Sequence, residues 1–358
     1  MAQGSVRIGR IAGINIELHW LFILLILIFI AWNPLLGFVW ILLFVCVLIH
    51  ELSHSITATR NGIKVSKIIL LPIGGASIIN DLGVNPAAEM NISLAGPLMS
   101  FVLGGIFGIL VIFAPAGLIT YLLQYLFVIN ILLGIFNILP AFPMDGGRVL
   151  RSYLQKKNDF YHATMTTVKV SKYCMALIVV ATVIFVIVPS SYSVGYRELI
   201  FLWDLIIVFF LYEGAKAEEE SATVKHETKG MTIKDAISKN YSVIEWESSP
   251  KRLYEIIKRK KEHIILTQSP EGDYQLVNIF DRKAIAGADS ISRLAVQIPN
   301  IQASTSIYDT MQKIEGTGFR VAAVFKGRTL LGIVTWQYMN AFLTLHMAGK
   351  SLRKGLNK

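Results

Sequence analysis

Residues 38–58 read FVWILLFVCVLIHELSHSITA, an apolar stretch long enough to cross a bilayer that nevertheless contains His50, Glu51 and His54. Residues four apart share one face of a helix, so the two histidines can bind the same metal ion. Glu51 lies about 100° around the helix from His50, which places it near the open side of that ion. A carboxylate at the centre of a membrane helix costs on the order of 2.5–3.5 kcal/mol, so we expect it there only when it has something to bind. The stretch therefore predicts a zinc hydrolase site within a membrane helix.

The composition divides the chain into two parts. Of the 358 residues, 54% are hydrophobic and 16% are charged, but the long apolar runs end near residue 216. From Glu218 onward the sequence is rich in Lys, Glu, Ser and Thr. We therefore expect a transmembrane domain over residues 1–216 and a polar linker over residues 217–230, followed by a soluble region.

Charge and cysteine usage argue against two other classes of protein. The net charge of +10 suits a polytopic membrane protein, because cytoplasmic loops collect Lys and Arg. No stretch of the sequence combines clustered basic residues with interleaved aromatic ones, so nucleic-acid binding is not predicted. Cys46 and Cys174 both lie in apolar runs, which argues against a disulfide framework.

Six apolar runs are predicted to be membrane helices. They are Ile16–Trp32, Phe38–Ala58, Met90–Phe113, Ile119–Leu139, Tyr173–Val188 and Leu199–Tyr212. Cations gather before the first run and after the second, fourth and sixth, whereas the alternate loops carry only Arg197. Both termini are therefore predicted to be cytoplasmic, and the metal motif lies in the cytoplasmic half of the second helix. Arg7 and Arg10, without a small-residue cleavage site after them, indicate that the first run is an anchor rather than a signal peptide.

Residues Ile63–Ile79 do not fit a bundle of helices. They are rich in β-branched side chains and are interrupted by Pro72 and by Gly74-Gly75. This pattern predicts a strand pair or a re-entrant sheet at the cytoplasmic face. A strand edge in that place can pair with an extended substrate.

The segment Asn137–Arg148 offers a third metal ligand. Catalytic zinc usually has three protein ligands and one open position, so the two histidines need a partner. Asp145 follows two prolines and precedes two glycines at the end of the fourth apolar run. These residues end a helix and let the backbone turn back, at the same depth and on the same side as the histidines. Asp145 is therefore the predicted third ligand, and its alternative role is to cap the helix that follows.

The two motifs together resemble those of the site-2 protease family of intramembrane zinc metalloproteases. The resemblance covers most of residues 10–160 and includes the segments Gly13–His19, Pro72–Gly75 and Ala95–Ser100. It implies a polytopic helical membrane domain with a small β segment and one zinc ion per chain.

The resemblance also implies the role of each site residue. His50, His54 and Asp145 correspond to the zinc ligands, and Asn137, eight residues before Asp145, corresponds to an asparagine that supports the site or the oxyanion. Zinc lowers the pKa of a bound water from 15.7 to about 7, and Glu51 takes its proton and delivers it to the leaving amine. Because helical peptide bonds are shielded, the expected substrates are membrane-anchored proteins whose segments unwind near the cytoplasmic face.

The region beyond residue 230 contains two similar segments spaced by about 56 residues. Each begins with Ser or Thr, continues as a helix and ends in two strands, an order that resembles a pair of CBS domains; Leu331–Thr335 is the clearest part of the match. The predicted boundaries are residues 231–285 and 286–345, and a basic tail occupies residues 346–358.

The CBS resemblance implies a cytoplasmic α/β module that forms a homodimer and binds an adenine nucleotide near Thr305 and Asp309. The aspartate that contacts ribose in that family is replaced by Tyr338 in the second segment and by Ala284 in the first. A module that serves dimerisation or substrate positioning, without nucleotide, therefore remains an open alternative.

Two other functions compete with a multi-pass zinc endopeptidase of the cell membrane. A CBS-gated metal or ion transporter would use the histidines and Asp145 to bind its cargo. Transport sites lie near the midplane, however, whereas this motif is displaced toward one face and carries Glu51 in the place of a base. A non-catalytic scaffold is disfavoured because all four motif residues are present.

Overall fold

The computed structural model describes residues 4–72, 74–79, 85–187, 194–260 and 264–356. The chain forms two compact units, Ala2–Thr223 and Val224–Lys358. The division falls inside the predicted linker. Residues 73, 188 and 357–358, which belong to segments predicted above, lie outside the described residues.

The first unit combines a four-stranded sheet with seven helices among its described residues. Its strands are β1 (Ser5–Ile11), β2 (Ile14–His19), β3 (Val65–Leu71) and β4 (Gly74–Ile79). Its helices are α1 (Trp20–Trp32), α2 (Pro34–Arg60), α3 (Pro86–Phe113), α4 (Leu118–Ile138), α5 (Asp145–Leu154), α6 (Phe160–Ile187) and α7 (Val194–Glu227). Helix α7 continues through most of the predicted linker, so that segment is helical as far as Glu227.

Within the described ranges, four helices are long and apolar enough to cross a membrane, namely α2, α3, α4 and α6. They correspond to four of the six predicted spans. Helix α1 has only 13 residues, about 20 Å of length, which is less than a hydrocarbon core of about 30 Å. Helix α7 carries Arg197, Glu198 and Asp204 in its apolar half. Six spans therefore remain a prediction.

The predicted first span, Ile16–Trp32, is wrong at its beginning. Residues 14–19 form β2, which pairs in parallel with β3 so that Ile16 lies opposite Ile68. Apolar composition alone does not separate a buried strand from a helix, and the partner strand lies about 50 residues further along the chain. The strand pair predicted for residues 63–79 is present as the antiparallel hairpin β3–β4.

The sheet has the order β1-β2-β3-β4, so β4 forms an edge among the described strands. Ile14, Ile68 and Leu70 form its buried core, and this core packs against Leu48 and Leu52 of α2. The sheet is thereby fixed to the turn of α2 that carries the metal motif.

Helices α2 and α3 begin in the same way, with an asparagine followed by a proline. The side-chain oxygen of Asn33 accepts hydrogen bonds from the two backbone N–H groups of Leu35 and Leu36. Asn85 does the same at the start of α3. Such caps satisfy N–H groups that have no partner within the helix, and proline at the first helical position costs no hydrogen bond.

The second unit contains two mixed sheets. Its elements are β5 (Ser242–Ile244), α8 (Pro250–Lys260), β6 (Ile265–Gln268), β7 (Tyr274–Val277), α9 (Arg282–Gly287), β8 (Ala295–Gln297), β9 (Asn300–Gln302), α10 (Ile307–Glu315), β10 (Val321–Lys326), β11 (Thr329–Thr335) and α11 (Trp336–Leu356). The order strand, helix, strand, strand, helix occurs twice, first from β5 to α9 and again from β9 to α11. Strand β8 lies between the two copies. In each copy the first strand pairs in parallel with the second, and the second pairs antiparallel with the third. The last helix extends into the predicted basic tail.

Candidate active site and metal centre

Helix α2 presents two imidazole rings on one face. His50 and His54 are buried, with 4% and 6% of their surface exposed. Their Nε2 atoms lie 3.1 Å apart. The spacing of four residues brings them together, as the sequence predicts.

Asp145, the first residue of α5, lies beside both rings. Its Oδ2 atom lies 3.3 Å from His50 Nε2 and 3.1 Å from His54 Nε2. Helix α5 begins after Met144, and no side-chain hydrogen bond caps it. The Asp145 carboxylate therefore faces the histidines and does not cap its own helix.

Gly146 and Gly147 make this position of Asp145 sterically accessible. A Cβ atom on Gly146 would overlap the carbonyl groups of Ile138 and Leu139, and one on Gly147 would lie 2.8 Å from the backbone of Ala141. Only glycine allows so close an approach of two backbones. The two glycines thus let α5 fold back onto the end of α4.

The three side chains fit a zinc ion. Zinc bonds of about 2.0–2.1 Å in tetrahedral geometry place neighbouring ligand atoms about 3.3–3.4 Å apart. The separations of 3.1, 3.1 and 3.3 Å among the two nitrogens and the carboxylate oxygen are close to this value. Two imidazoles and one carboxylate are also a donor set that catalytic zinc uses, with a fourth position left open.

Helix α3 orients both imidazoles from behind. His54 Nδ1 lies 2.6 Å from the carbonyl oxygen of Ile92, and His50 Nδ1 lies 2.8 Å from Ser100 Oγ. A carbonyl only accepts, so the His54 Nδ1 atom carries the proton and Nε2 is left to bind a metal. Sequence reasoning missed these two partners. A polar side chain within the apolar run of α3 was the available signal for Ser100, whereas the backbone carbonyl of Ile92 leaves no signal in the sequence.

Gly96 lies between these two partners on the same face of α3. A Cβ atom at this position would overlap the His54 ring and lie 2.6 Å from His50 Nε2. The absence of a side chain therefore allows α3 to approach the rings closely enough for both hydrogen bonds.

Glu51 lies against the edge strand of the sheet. A Cβ atom on Gly75 of β4 would lie 3.0 Å from Glu51 Cδ and 3.2 Å from Oε1. The backbone of β4 thus passes directly beside the carboxylate that follows the first histidine.

The electrostatics keep Asp145 in its metal-binding form. Burial by itself raises the pKa of the Asp145 carboxyl, but hydrogen bonds and charge from His50 and His54 outweigh burial and hold that pKa at about 2 while both Nε2 atoms carry the protons that a metal ion would replace. The group is therefore a carboxylate at neutral pH, and an acidic ligand needs no deprotonation step before it binds a cation.

Asn137, Thr305 and Asp309, the last two predicted as a separate nucleotide site, have only contacts within their own compact unit among those described. Among the contacts of the described residues, the Asn137 amide donates to the carbonyl oxygen of Leu133 at 2.9 Å, within its own helix. At the start of α10, Asp309 is exposed and its N–H group donates to Ser306 Oγ. The carbonyl oxygen of Thr305 accepts a hydrogen bond from the N–H group of Ile233. The roles of Asn137, Thr305 and Asp309 stay predictions.

The fold and the site define a membrane protein with a buried centre of two histidines and one carboxylate. The model of peptidase family M50 matches residues 38–116 and 113–181. A zinc metalloprotease of Methanocaldococcus jannaschii is 36% identical over 244 residues, which cover 66% of this chain and 67% of that protein. The Rip3 protein of Mycobacterium tuberculosis is 30% identical over 260 residues, which cover 66% of this chain and 64% of Rip3. The chain belongs to the M50 family of zinc metalloproteases, the site-2 proteases.

Two solved structures are also similar. A site-2 protease from Methanocaldococcus jannaschii shares 34% identity, with 60% of this chain and 95% of that chain covered and a TM-score of 0.44. A CBS domain protein from Thermoplasma acidophilum aligns with 33% of this chain at 14% identity and a TM-score of 0.26. The second likeness is too low to assign the fold of the second unit. The chain spans about two thirds of the length of the two sequence relatives named above.

Gly96→Ala is expected to empty the metal centre, because the added methyl group would push α3 away from the imidazoles. Partners of this kind are worth about 10–100-fold in metal affinity, so the zinc affinity measured by chelator competition should fall by a similar factor, and the variant should lose its zinc in a chelator dialysis that the wild type withstands. Gly105→Ala on the same helix is the matched control, since its Cβ atom would meet nothing within 4 Å. Equal zinc content in the two variants would contradict the geometry.

Proposed function

We propose that this protein is an intramembrane zinc metalloendopeptidase that cleaves membrane-anchored substrates near the cytoplasmic face. The observation that carries the proposal is the convergence of His50, His54 and Asp145 within 3.3 Å of one another, with Glu51 beside them on a helix of spanning length. Membership in the M50 family supports the same reaction class.

The residues divide the chemistry among themselves. His50, His54 and Asp145 would hold the zinc ion, which supplies a Lewis acid and an acidified water when bound. Glu51 accepts the proton of the attacking water and returns it to the leaving amine. Asn137 supports the oxyanion in this proposal, after its amide turns away from the Leu133 carbonyl that it now contacts.

The substrate is proposed to bind as an extended strand along β4. This strand is an edge of the described sheet, and its Gly75 lies so near Glu51 that an added Cβ atom would be 2.5 Å from Glu51 Cγ. A segment that pairs with this edge is held by main-chain hydrogen bonds, which do not depend on its side chains. Its carbonyl groups then pass beside the catalytic carboxylate. The requirement for an extended segment explains why the substrate helix has to unwind first.

The proposed topology has six passages through the cell membrane, with both termini in the cytoplasm. Helices α1 and α7 provide two passages in addition to the four helices of spanning length, α2, α3, α4 and α6. The support for this orientation is the distribution of Lys and Arg, which are concentrated in alternate loops. Because α1 is short, its passage requires local thinning of the bilayer.

The second unit is proposed to be a pair of CBS domains that dimerises and regulates cleavage. The repeated order of strands and helices supports a duplicated module, and the starts of β6 and β10, at residues 265 and 321, agree with the predicted spacing. Binding of an adenine nucleotide near Thr305 and Asp309 belongs to this proposal, beside the alternative that the module only dimerises.

A transporter is the second candidate function. It would use the same three ligands, but it gives no role to Glu51, whose carboxylate lies beside Gly75 of β4. The protease is therefore the preferred function, and the variants below discriminate between the two.

Glu51→Gln is expected to abolish cleavage and to leave zinc binding intact. General base catalysis accelerates a reaction by about 10²–10⁴-fold. The cleavage rate of single-span substrates in proteoliposomes should therefore fall by roughly 10²-fold or more. The exposed residue Glu220 provides the matched control, Glu220→Gln. Undiminished cleavage would refute the role of Glu51 as base, and loss of zinc would show that Glu51 is a ligand instead.

Proline substitutions at residues 76 and 77, made separately, test the role of the β4 edge. Neighbouring residues of a strand point their N–H groups in opposite directions, so one substitution removes a hydrogen bond to β3 and the other removes only a donor at the free edge. The variant that keeps its zinc and its thermal stability should nevertheless lose most cleavage activity. Wild-type cleavage by both variants would exclude substrate pairing at this edge.

A further inference from the structure

A buried ionic cluster lies at the centre of α5, away from the metal ligands. Arg151 is 3% exposed, and its guanidinium contacts two carboxylates. Its Nε atom donates to Glu89 Oε1 at 3.1 Å, and its Nη2 atom also contacts that oxygen. Its Nη1 atom donates to Glu218 Oε2 at 2.6 Å. A charge this deeply buried is stable only when it is paired in good geometry.

The same guanidinium packs against the turn that delivers Asp145. The Arg151 Cζ atom lies 5.1 Å from the centre of the Phe142 ring and 4.9 Å from that of Phe160. Phe142 precedes Asp145 by three residues, is fully buried, and donates its backbone N–H to Ser171 Oγ at 2.8 Å. Arg151 therefore fixes both the helix that begins at Asp145 and the chain that leads into it.

The carboxylate partners connect this helix to the rest of the metal centre. Glu89 is 1% exposed and lies on α3, one turn before Ile92, whose carbonyl group orients His54. Gln155, which directly follows α5, also donates to Glu89, at 3.3 Å. The link from Arg151 to Glu89 thus joins the helix that carries the third ligand to the helix that orients both histidines. Glu218 connects a third helix, α7, to the cluster. Its Oε1 atom also lies 3.4 Å from Nη2 of Arg148 on α5.

We propose that Arg151 is a positioning residue that sets the distance between Asp145 and the two histidines, and thereby the retention of the metal ion. The inference rests on the proposed metal centre but not on the proteolytic reaction. Arginine suits the role because its planar group binds two carboxylates and stacks on aromatic rings at the same time, which lysine cannot do. No other described contact joins the side chains of α3 and α5 through so buried a charge.

The test uses the full-length protein loaded with zinc or with Co²⁺. Arg151→Met should release zinc to an excess of chelator at least 10-fold faster than wild type, and Arg151→Lys should fall between them. In the Co²⁺-loaded protein, the visible spectrum should change in Arg151→Met, because it reports the arrangement of the ligands. Arg148→Met is the matched control, since it removes a cation of the same helix that contacts only Glu218 among the described acidic residues.

A double variant separates positioning from folding. Replacing both partners of a buried ion pair by apolar residues is often neutral for stability, so Glu89→Met combined with Arg151→Met should unfold near the wild-type temperature and still lose zinc rapidly. Wild-type zinc release and an unchanged Co²⁺ spectrum in this double variant would overturn the role of Arg151 and would leave the proposed metal centre standing. A wild-type protein that binds neither metal would overturn the proposed centre as well.

Discussion

The approach of two helices to one turn of α2 is the constraint on which the membrane unit depends. Two imidazoles and a carboxylate have to meet at one point inside an apolar structure, where polar groups without partners are costly. Helix α3 meets the rings through its bare backbone at Gly96, and α5 begins at Asp145 because Gly146 and Gly147 let it fold back. These three glycines lie where a backbone has to come close to the metal centre or to the turn that leads into it.

The sheet answers a different requirement of the same site. In the proposed reaction, a base has to lie next to both the metal-bound water and the substrate, and a substrate within the membrane offers its peptide bonds only when extended. The core of β2 and β3 packs against α2 on either side of Glu51 in sequence, and β4 continues from that core as an edge. The proposed ligands, the proposed base and the strand edge therefore meet around the same stretch of α2.

Sequence reasoning identified the parts of the site that have a local pattern. The histidine pair follows from helical periodicity, and Asp145 follows from a turn made of prolines and glycines at the same predicted depth. The pairing of β2 with β3 was missed because it joins residues about 50 positions apart, and apolar runs do not reveal strand partners. Ile92 contributes a backbone carbonyl, which any residue type supplies, so no side-chain pattern marks it. The partnership of Arg151 with Glu89 was missed because two distant helix positions carry no mutual signal in one sequence.

The proposed metal centre is defined by the identity of the atoms around the metal. X-ray absorption at the zinc edge of the purified protein measures them without any substrate. We predict one zinc per chain, with two imidazole nitrogens and oxygen donors at about 2.0–2.1 Å. A sulfur neighbour at about 2.3 Å, which would bring Cys46 into the centre, or a single imidazole would contradict the assignment of His50, His54 and Asp145.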